Sequence, residues 1–311
     1  VAKLADKQQK ANKKYYSKKG KAIYSDFLTF AKGKALAKCN AIEFSSDFSA
    51  NPPPVICEYG VGNGNFAKIF LDELKKRNFP LYSKVNYHLF DFSQKMLTHA
   101  KKNLSKHRKI CKFHKFDALH NKVQLGFDYC RINELLSDLS AQIYLRKGKQ
   151  VFELVERKGA FDMDKVNKPN PQVSKFLERI DSGRAIPFNF NAQKFLSSLC
   201  KKGKSGFRID IFDYGFYSAD DVLLLPLKEW NRLVLRNYGG QITVDLNFLQ
   251  IISQIASQNL PFSIEKQKDY AEQVLGFPLK LRQTKNSLDY EKAKTSRIKE
   301  DDGFFHLRIG R

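Results

Sequence analysis

Long apolar runs are absent from this 311-residue sequence, and with them any membrane-spanning helix, since a span needs about 18 consecutive apolar residues. Cysteine is sparse. The five that occur, Cys39, Cys57, Cys111, Cys130 and Cys200, are odd in number, scattered and mostly set in segments of strand character, which excludes a disulfide framework and points to reduced thiols in a cytoplasm. The six histidines form no H-E-x-x-H, and His114 and His120 read as a strand residue and a loop residue, so no metal site is expected. The opening residues are rich in Lys and Gln. They lack the apolar core of a signal peptide and the Arg and Ser of a mitochondrial presequence. Acid is scarce, 32 residues against 55 basic ones for a net charge of +23. A field of that size draws RNA or acidic protein segments, and it equally fits solvated lysine-rich faces. With 42% of residues apolar, the chain can bury a sizeable core as one main domain with accessory elements.

What is present centres on residues 55–71. A short apolar strand runs into Glu58, then Gly60, Gly62 and Gly64, then an amphipathic helix. The glycines let the backbone curl and leave room for a ligand against it. Their G-x-G-x-G spacing, with the acid ahead of them, differs from the dinucleotide fingerprint and disfavours a pyrophosphate. A carboxylate at Glu58 would repel phosphates, yet can accept from the ammonium of an amino acid, directly or through water. Taken alone, the pattern also fits a glycine-rich surface turn with a solvated Glu.

Three further strand ends carry polar groups. Residues 84–93 read as a strand ending in Asp91, with Ser93 capping the next helix; one carboxylate can accept from both hydroxyls of a ribose, or simply mark a helix start. Residues 110–116 read as a third strand ending at Asp117 and Ala118, where an acid can accept from an adenine amine or serve as a turn residue. A fourth strand, 126–132, leads into Asn133 and Glu134, groups that face the ligand crevice at the carboxyl end of a parallel sheet. There Asn133 can offer its amide and Glu134 can hold a cation.

Breakers set the organisation. Residues 1–50 read as a basic, mainly helical segment, with Phe27, Leu28 and Phe30 as a short apolar face, and Asn51 to Pro54 form a stiff entry to the domain spanning 51–311. Alternating strands and helices from Val55 through Val155 imply a parallel sheet. The pattern weakens over about 161–191, an accessory insertion before a fifth strand at Phe207 to Phe212.

The order of segments from about Val55 to the carboxyl terminus resembles the MidA family of S-adenosylmethionine-dependent methyltransferases. The resemblance rests on Glu58 with its glycines, Asn133-Glu134-Leu135-Leu136 after strand four, Asp213-Tyr214-Gly215 after strand five, the segment Gly240 to Phe248, and a closing Gly303 to Ile309. The family includes a mitochondrial respiratory complex I assembly factor that is a protein arginine methyltransferase. Ser137, Ser140, Gln241 and Asp245 depart from the family pattern of Asp, Pro, Asp and His, and Tyr15 to Gly20 is the nearest counterpart of its entry loop.

The resemblance implies an α/β, class I methyltransferase Rossmann-like fold with a mostly parallel central sheet. It implies S-adenosylmethionine as cofactor, S-adenosylhomocysteine as product and a protein arginine as acceptor. The cofactor would lie on Glu58, Gly60, Gly62, Gly64, Asp91, Asp117, Ala118 and Asn133, and Glu134 and Asp213 would grip a guanidinium and align its nitrogen with the methyl. Tyr214 would shape the pocket edge, and Thr243 and Asn247 would either join the site or cap the following helix. Two other readings stay open: an RNA methyltransferase, which the Leu135-Leu136 pair disfavours where an aromatic is usual, and a non-catalytic cofactor-binding assembly factor.

Overall fold

The computed structural model describes residues 2–19, 28–295 and 303–310, so Gly20 of the entry-loop counterpart and Phe27 lie outside the described residues. The chain forms two compact units. The first comprises residues 1–15, 136–197 and 214–259, and the second 16–135, 198–213 and 260–311. Residues expected as one N-terminal segment are therefore divided: the helix Leu4–Lys19 runs from the first unit into the second, and Ala35–Asp47 belongs to the second.

The second unit is built on a sheet whose strands we number β1 (Val55–Tyr59), β2 (Asn86–Asp91), β3 (Cys111–Lys115), β4 (Phe127–Asn133), β5 (Gly203–Phe216), β6 (Phe262–Lys266) and β7 (Phe304–Gly310). Their order is β6-β7-β5-β4-β1-β2-β3. Strands β5, β4, β1, β2 and β3 pair in parallel, whereas β6 and β7 are antiparallel, so the sheet is mixed and the expected parallel character applies to its five-strand half. Parallel strands are covered on both faces, which explains why β1 and β4 are almost wholly buried instead of alternating.

Helix Asn65–Arg77 buries Phe66, Ala67, Phe70, Leu71 and Leu74, the stripe that a 3.6-residue period requires, and ends on Lys75, Lys76 and Arg77, which complement its negative terminus. Ala67, Phe70, Leu71 and Leu74 join Phe44, Tyr87 and Tyr129 in one core. The switch point between β1 and β4, where the strand order reverses, is where a doubly wound sheet opens a ligand crevice.

The first unit corrects the expected run of parallel strands through Val155. Gln142–Lys147 and Gln150–Arg157 form an antiparallel hairpin turned at Gly148, whose φ is 56°. Ala160–Val166 pairs with the second of these strands, Ile186–Phe188 with the first, and Ala2–Lys3 also joins the hairpin, all antiparallel. The insertion expected over about 161–191 is thus one part of a larger body. It occupies the whole of 136–197 and is joined by 214–259. The fifth strand runs over 203–216, longer than the six residues expected.

Candidate functional site

The turn after β1 has the conformation its glycines permit, with φ of 74°, 55° and 76° at Gly60, Gly62 and Gly64. At Gly64 the fit is also close: a Cβ would lie 3.1 Å from Ala100 and Leu104 of the neighbouring helix region. The loop's amides are largely committed within the protein. Gly60 and Val61 donate to the Phe90 carbonyl at 2.9 and 3.2 Å, Gly62 to Asp91 Oδ2 at 2.9 Å, Gly64 to the Val61 carbonyl at 3.0 Å and Asn65 to Asn63 Oδ1 at 3.0 Å. An anion-binding turn directs such amides at its ligand. This one does not, and so it suits a nucleoside that carries no phosphate.

Glu58 lies buried on β1, opposite Arg131 of β4. Its Oε2 accepts from the Arg131 guanidinium and, at 2.5 Å, from the Tyr87 hydroxyl, so Oε1 alone is left for the ligand ammonium that the sequence pattern suggests. Arg131 stacks 3.9 Å from the centre of the Phe66 ring, in the first turn of the helix that the loop feeds. The pair thus braces that turn as well as filling the core.

Asp91 closes β2 with both oxygens in use: Oδ1 accepts from the Ser93 amide at 2.8 Å and Oδ2 from Gly62. Each oxygen keeps a second lone pair for a ribose hydroxyl. Burial pushes this carboxyl up to about 6, against the pull of the two amide donors. Ser93 caps its helix as expected, accepting from Met96 N at 3.3 Å. Asp117 heads a turn after β3, its Oδ1 accepting from Leu119 N at 3.0 Å and its amide donating to Asn121 Oδ1 at 2.7 Å, with Ala118 inside the turn.

At the end of β4, Asn133 and Glu134 stand beside β5. Asn133 pairs in register with Phe212, and the Glu134 amide donates to the Phe212 carbonyl at 2.8 Å, which places Glu134 next to the strand that carries Asp213. Among the described residues, the buried Asn133 Oδ1 has no hydrogen-bond partner, an acceptor waiting for a donor. Glu134 adopts φ of 48°, unusual for a side chain with a Cβ. Its Oε1 accepts from Thr29 Oγ1 at 3.0 Å and Phe30 N at 2.9 Å, with Asn133 Nδ2 a longer 3.4 Å away. Burial, then the nearby Asp213 charge, push its carboxyl up to about 8 despite those donors. Asp213 is itself fully buried. Thr29 does not stand out in the sequence and Phe30 reads there only as part of a short apolar face; no local pattern links either to Glu134, 105 and 104 positions on.

The family positions Ser137, Ser140, Tyr214, Gly215 and 240–248 belong to the first unit, and the closing segment 303–309 to the second. Gly215 meets Leu246 so closely that a Cβ would fall 2.0 Å from its carbonyl oxygen, which accounts for the glycine of the Asp-Tyr-Gly motif. The Tyr214 hydroxyl hydrogen-bonds Thr243 Oγ1, and Asn247 caps helix Phe248–Ser257 by accepting from Gln250 N at 3.1 Å, so capping is what the structure gives Asn247. The departures are accommodated by partners. Gln241 Nε2 donates to Asp138 Oδ1 at 2.8 Å, Asp245 pairs with Arg236 at 2.7 Å, and Ser140 Oγ accepts from Asn191 at 2.8 Å. Ser137 is buried beside them in the chain. Among the described residues no cluster of His, Cys, Asp or Glu could hold a metal, and no helix is long and apolar enough to cross a membrane.

A glycine turn suited to a phosphate-free ligand, a ribose-type acid and an amide oxygen without a partner among the described residues, at the ends of three neighbouring strands, fit S-adenosylmethionine, and the sequence agrees. Residues 39–260 match the family described as "Putative S-adenosyl-L-methionine-dependent methyltransferase". The chain belongs to this family. The MidA resemblance is thereby borne out, and S-adenosylmethionine is the family's cofactor. Among solved structures, an uncharacterised protein from Burkholderia thailandensis shares the fold with a TM-score of 0.71 at 13% identity, over 99% of this chain and 87% of its own. A superfamily member from the same organism, crystallised with S-adenosyl-homocysteine, gives a TM-score of 0.67 at 14% identity over the same shares. Comparison with curated proteins finds no match.

Proposed function

We propose that this methyltransferase acts on a protein and that its acceptor is an arginine side chain. The observation that carries the reading is the juxtaposition of Glu134 and Asp213, two buried-side carboxyls at the carboxyl ends of adjacent parallel strands, close enough that one raises the pKa of the other. A guanidinium presents several N–H donors and a full charge, and it is the acceptor that best rewards two acids set side by side. The sulfonium supplies the leaving group and the activated methyl. The protein's own task is then alignment, exclusion of water and charge.

Gly60, Gly62 and Gly64 would admit the nucleoside, Asp91 would take the ribose, Asp117 and Ala118 would border the adenine, and Oε1 of Glu58 with Oδ1 of Asn133 would receive the amino-acid end. The free cysteines of the fold are consistent with action in a reducing, cytoplasmic compartment. Incubation of the protein with labelled S-adenosylmethionine and cell extract should place label in protein as methylarginine. Glu134→Gln and Asp213→Asn should lower that transfer by at least ~10²-fold, the scale of one lost electrostatic contact to a transition state, while retaining calorimetric binding of S-adenosylhomocysteine. Label confined to RNA, or transfer unchanged in both variants, would overturn the reading.

A further inference from the structure

We propose that Thr29 is a positioning residue for Glu134: its hydroxyl proton fixes one carboxylate oxygen and leaves the other as the single face that Glu134 presents. The proposal rests on Glu134 being the acid of the methyl-transfer site. Thr29 is buried, and its Oγ1 plays two parts. It accepts from Ala31 N at 2.9 Å as cap of the short turn Phe30–Lys32, and it lies 3.0 Å from Glu134 Oε1. A hydroxyl has one proton. Since the lone pair faces Ala31 N–H, the proton is directed to Glu134.

Asp would cap the same turn equally well but has no proton to give a second carboxylate. The hydroxyl is thus the chemistry that serves both contacts. Phe30 N adds a second donor to the same oxygen, and the turn that carries both is itself held. Leu288 N donates to the Thr29 carbonyl at 3.0 Å, Lys34 and Ala35 N donate to Asp289 at 3.0 Å each, and the Phe30 ring lies 4.9 Å from those of Tyr290 and Phe304. Oε1 is therefore saturated by a fixed element. No described residue bonds Oε2.

Two consequences follow for the site. Glu134 can accept from one N–H of an acceptor on Oε2 but cannot form a two-point fork with it, so the second contact to a guanidinium falls to Asp213. The donors on Oε1 also favour the ionised form, against burial and Asp213, the charged group that faces Glu134. Removal of the Thr29 hydroxyl should shift the titration of Glu134 upward.

The test is carboxyl carbon NMR of the full chain labelled at glutamate, with the Glu134 signal assigned by its loss in Glu134→Gln. The wild-type signal should titrate near 8, move up by about half a unit or more in Thr29→Val, and return in Thr29→Ser. An unchanged midpoint in folded Thr29→Val, or no recovery with Ser, overturns the proposal. Should Thr29→Val fail to fold, the wild type decides it: the Thr29 hydroxyl proton should be visible in slow exchange and shift as Glu134 titrates, and a proton indifferent to that titration overturns it. Calorimetry with S-adenosylhomocysteine on the same samples separates the two levels. Absent binding would sink the methyltransferase site while leaving the titration result standing.

Discussion

At the scale of single residues, the site separates groups that touch a ligand from groups that hold others in place. Glu58 is legible as the acid of a glycine motif, but its partner is not, because Arg131 lies on a strand 73 residues further on and reads in the sequence as one cation among 55. The pair is almost wholly withdrawn from water; among the described residues the Arg131 Nε and Nη1 atoms have no hydrogen-bond acceptor, and the guanidinium lies over the rings of Phe66 and Phe70. Removal of one member of such a pair strands the other. Arg131→Met should therefore cost about 3–5 kcal/mol in urea unfolding, and the double variant with Glu58→Gln should recover a large part of it. If the single variant is as stable as wild type, the pair does not brace the core. Thr29 illustrates the same limit on reading a sequence: its contact with Glu134 is set by tertiary placement, and nothing adjacent to it announces it.

Among elements, what was legible follows from periodicity and punctuation. Short strands of five, six and seven residues, ending at Tyr59, Asp91 and Asn133, are visible because both faces are buried and a polar residue or glycine ends or follows each of them. The hairpin over 142–157 reads in the sequence as part of the parallel series although its turn, Gly148-Lys149, is a hairpin signal, because an apolar strand looks the same whichever sheet receives it. The Asp-Tyr-Gly element shows why a motif residue need not be chemical. Its glycine is demanded by the strand Leu246–Asn247, which pairs in parallel with Gly215 and Phe216. Gly215→Ala has no space for its methyl and should destabilise the protein by at least ~1–3 kcal/mol, as overpacking does, with a lower midpoint in thermal unfolding. S-adenosylhomocysteine affinity, measured below that midpoint, should stay within about twofold of wild type. A large loss of affinity with stability intact would instead make Gly215 a ligand contact.

For the whole molecule, the net charge of +23 and the acids of the site act in opposite directions on the cofactor. S-adenosylmethionine is a cation at neutral pH and S-adenosylhomocysteine is not, so the overall field opposes the substrate form and is indifferent to the product. Salt screens that field over a Debye length of about 30 Å at 0.01 M and about 8 Å at 0.15 M, whereas a carboxylate beside the ligand is screened little. Affinity for S-adenosylmethionine relative to S-adenosylhomocysteine should thus rise with salt. It should also rise with pH. Glu134, with its carboxyl at about 8, is mostly neutral at pH 7 and becomes anionic as pH passes through that value, adding a negative charge where the sulfonium and an acceptor cation lie. The ligand's own ammonium titrates in the same range, so the decisive quantity is the difference between wild type and Glu134→Gln. Competitive titrations between pH 6.5 and 9 should show the relative preference for S-adenosylmethionine climbing more steeply in wild type. Parallel curves for the two proteins would mean that Glu134 lies too far from the methyl to feel its charge, and the gripping of the acceptor would then rest on Asp213 alone.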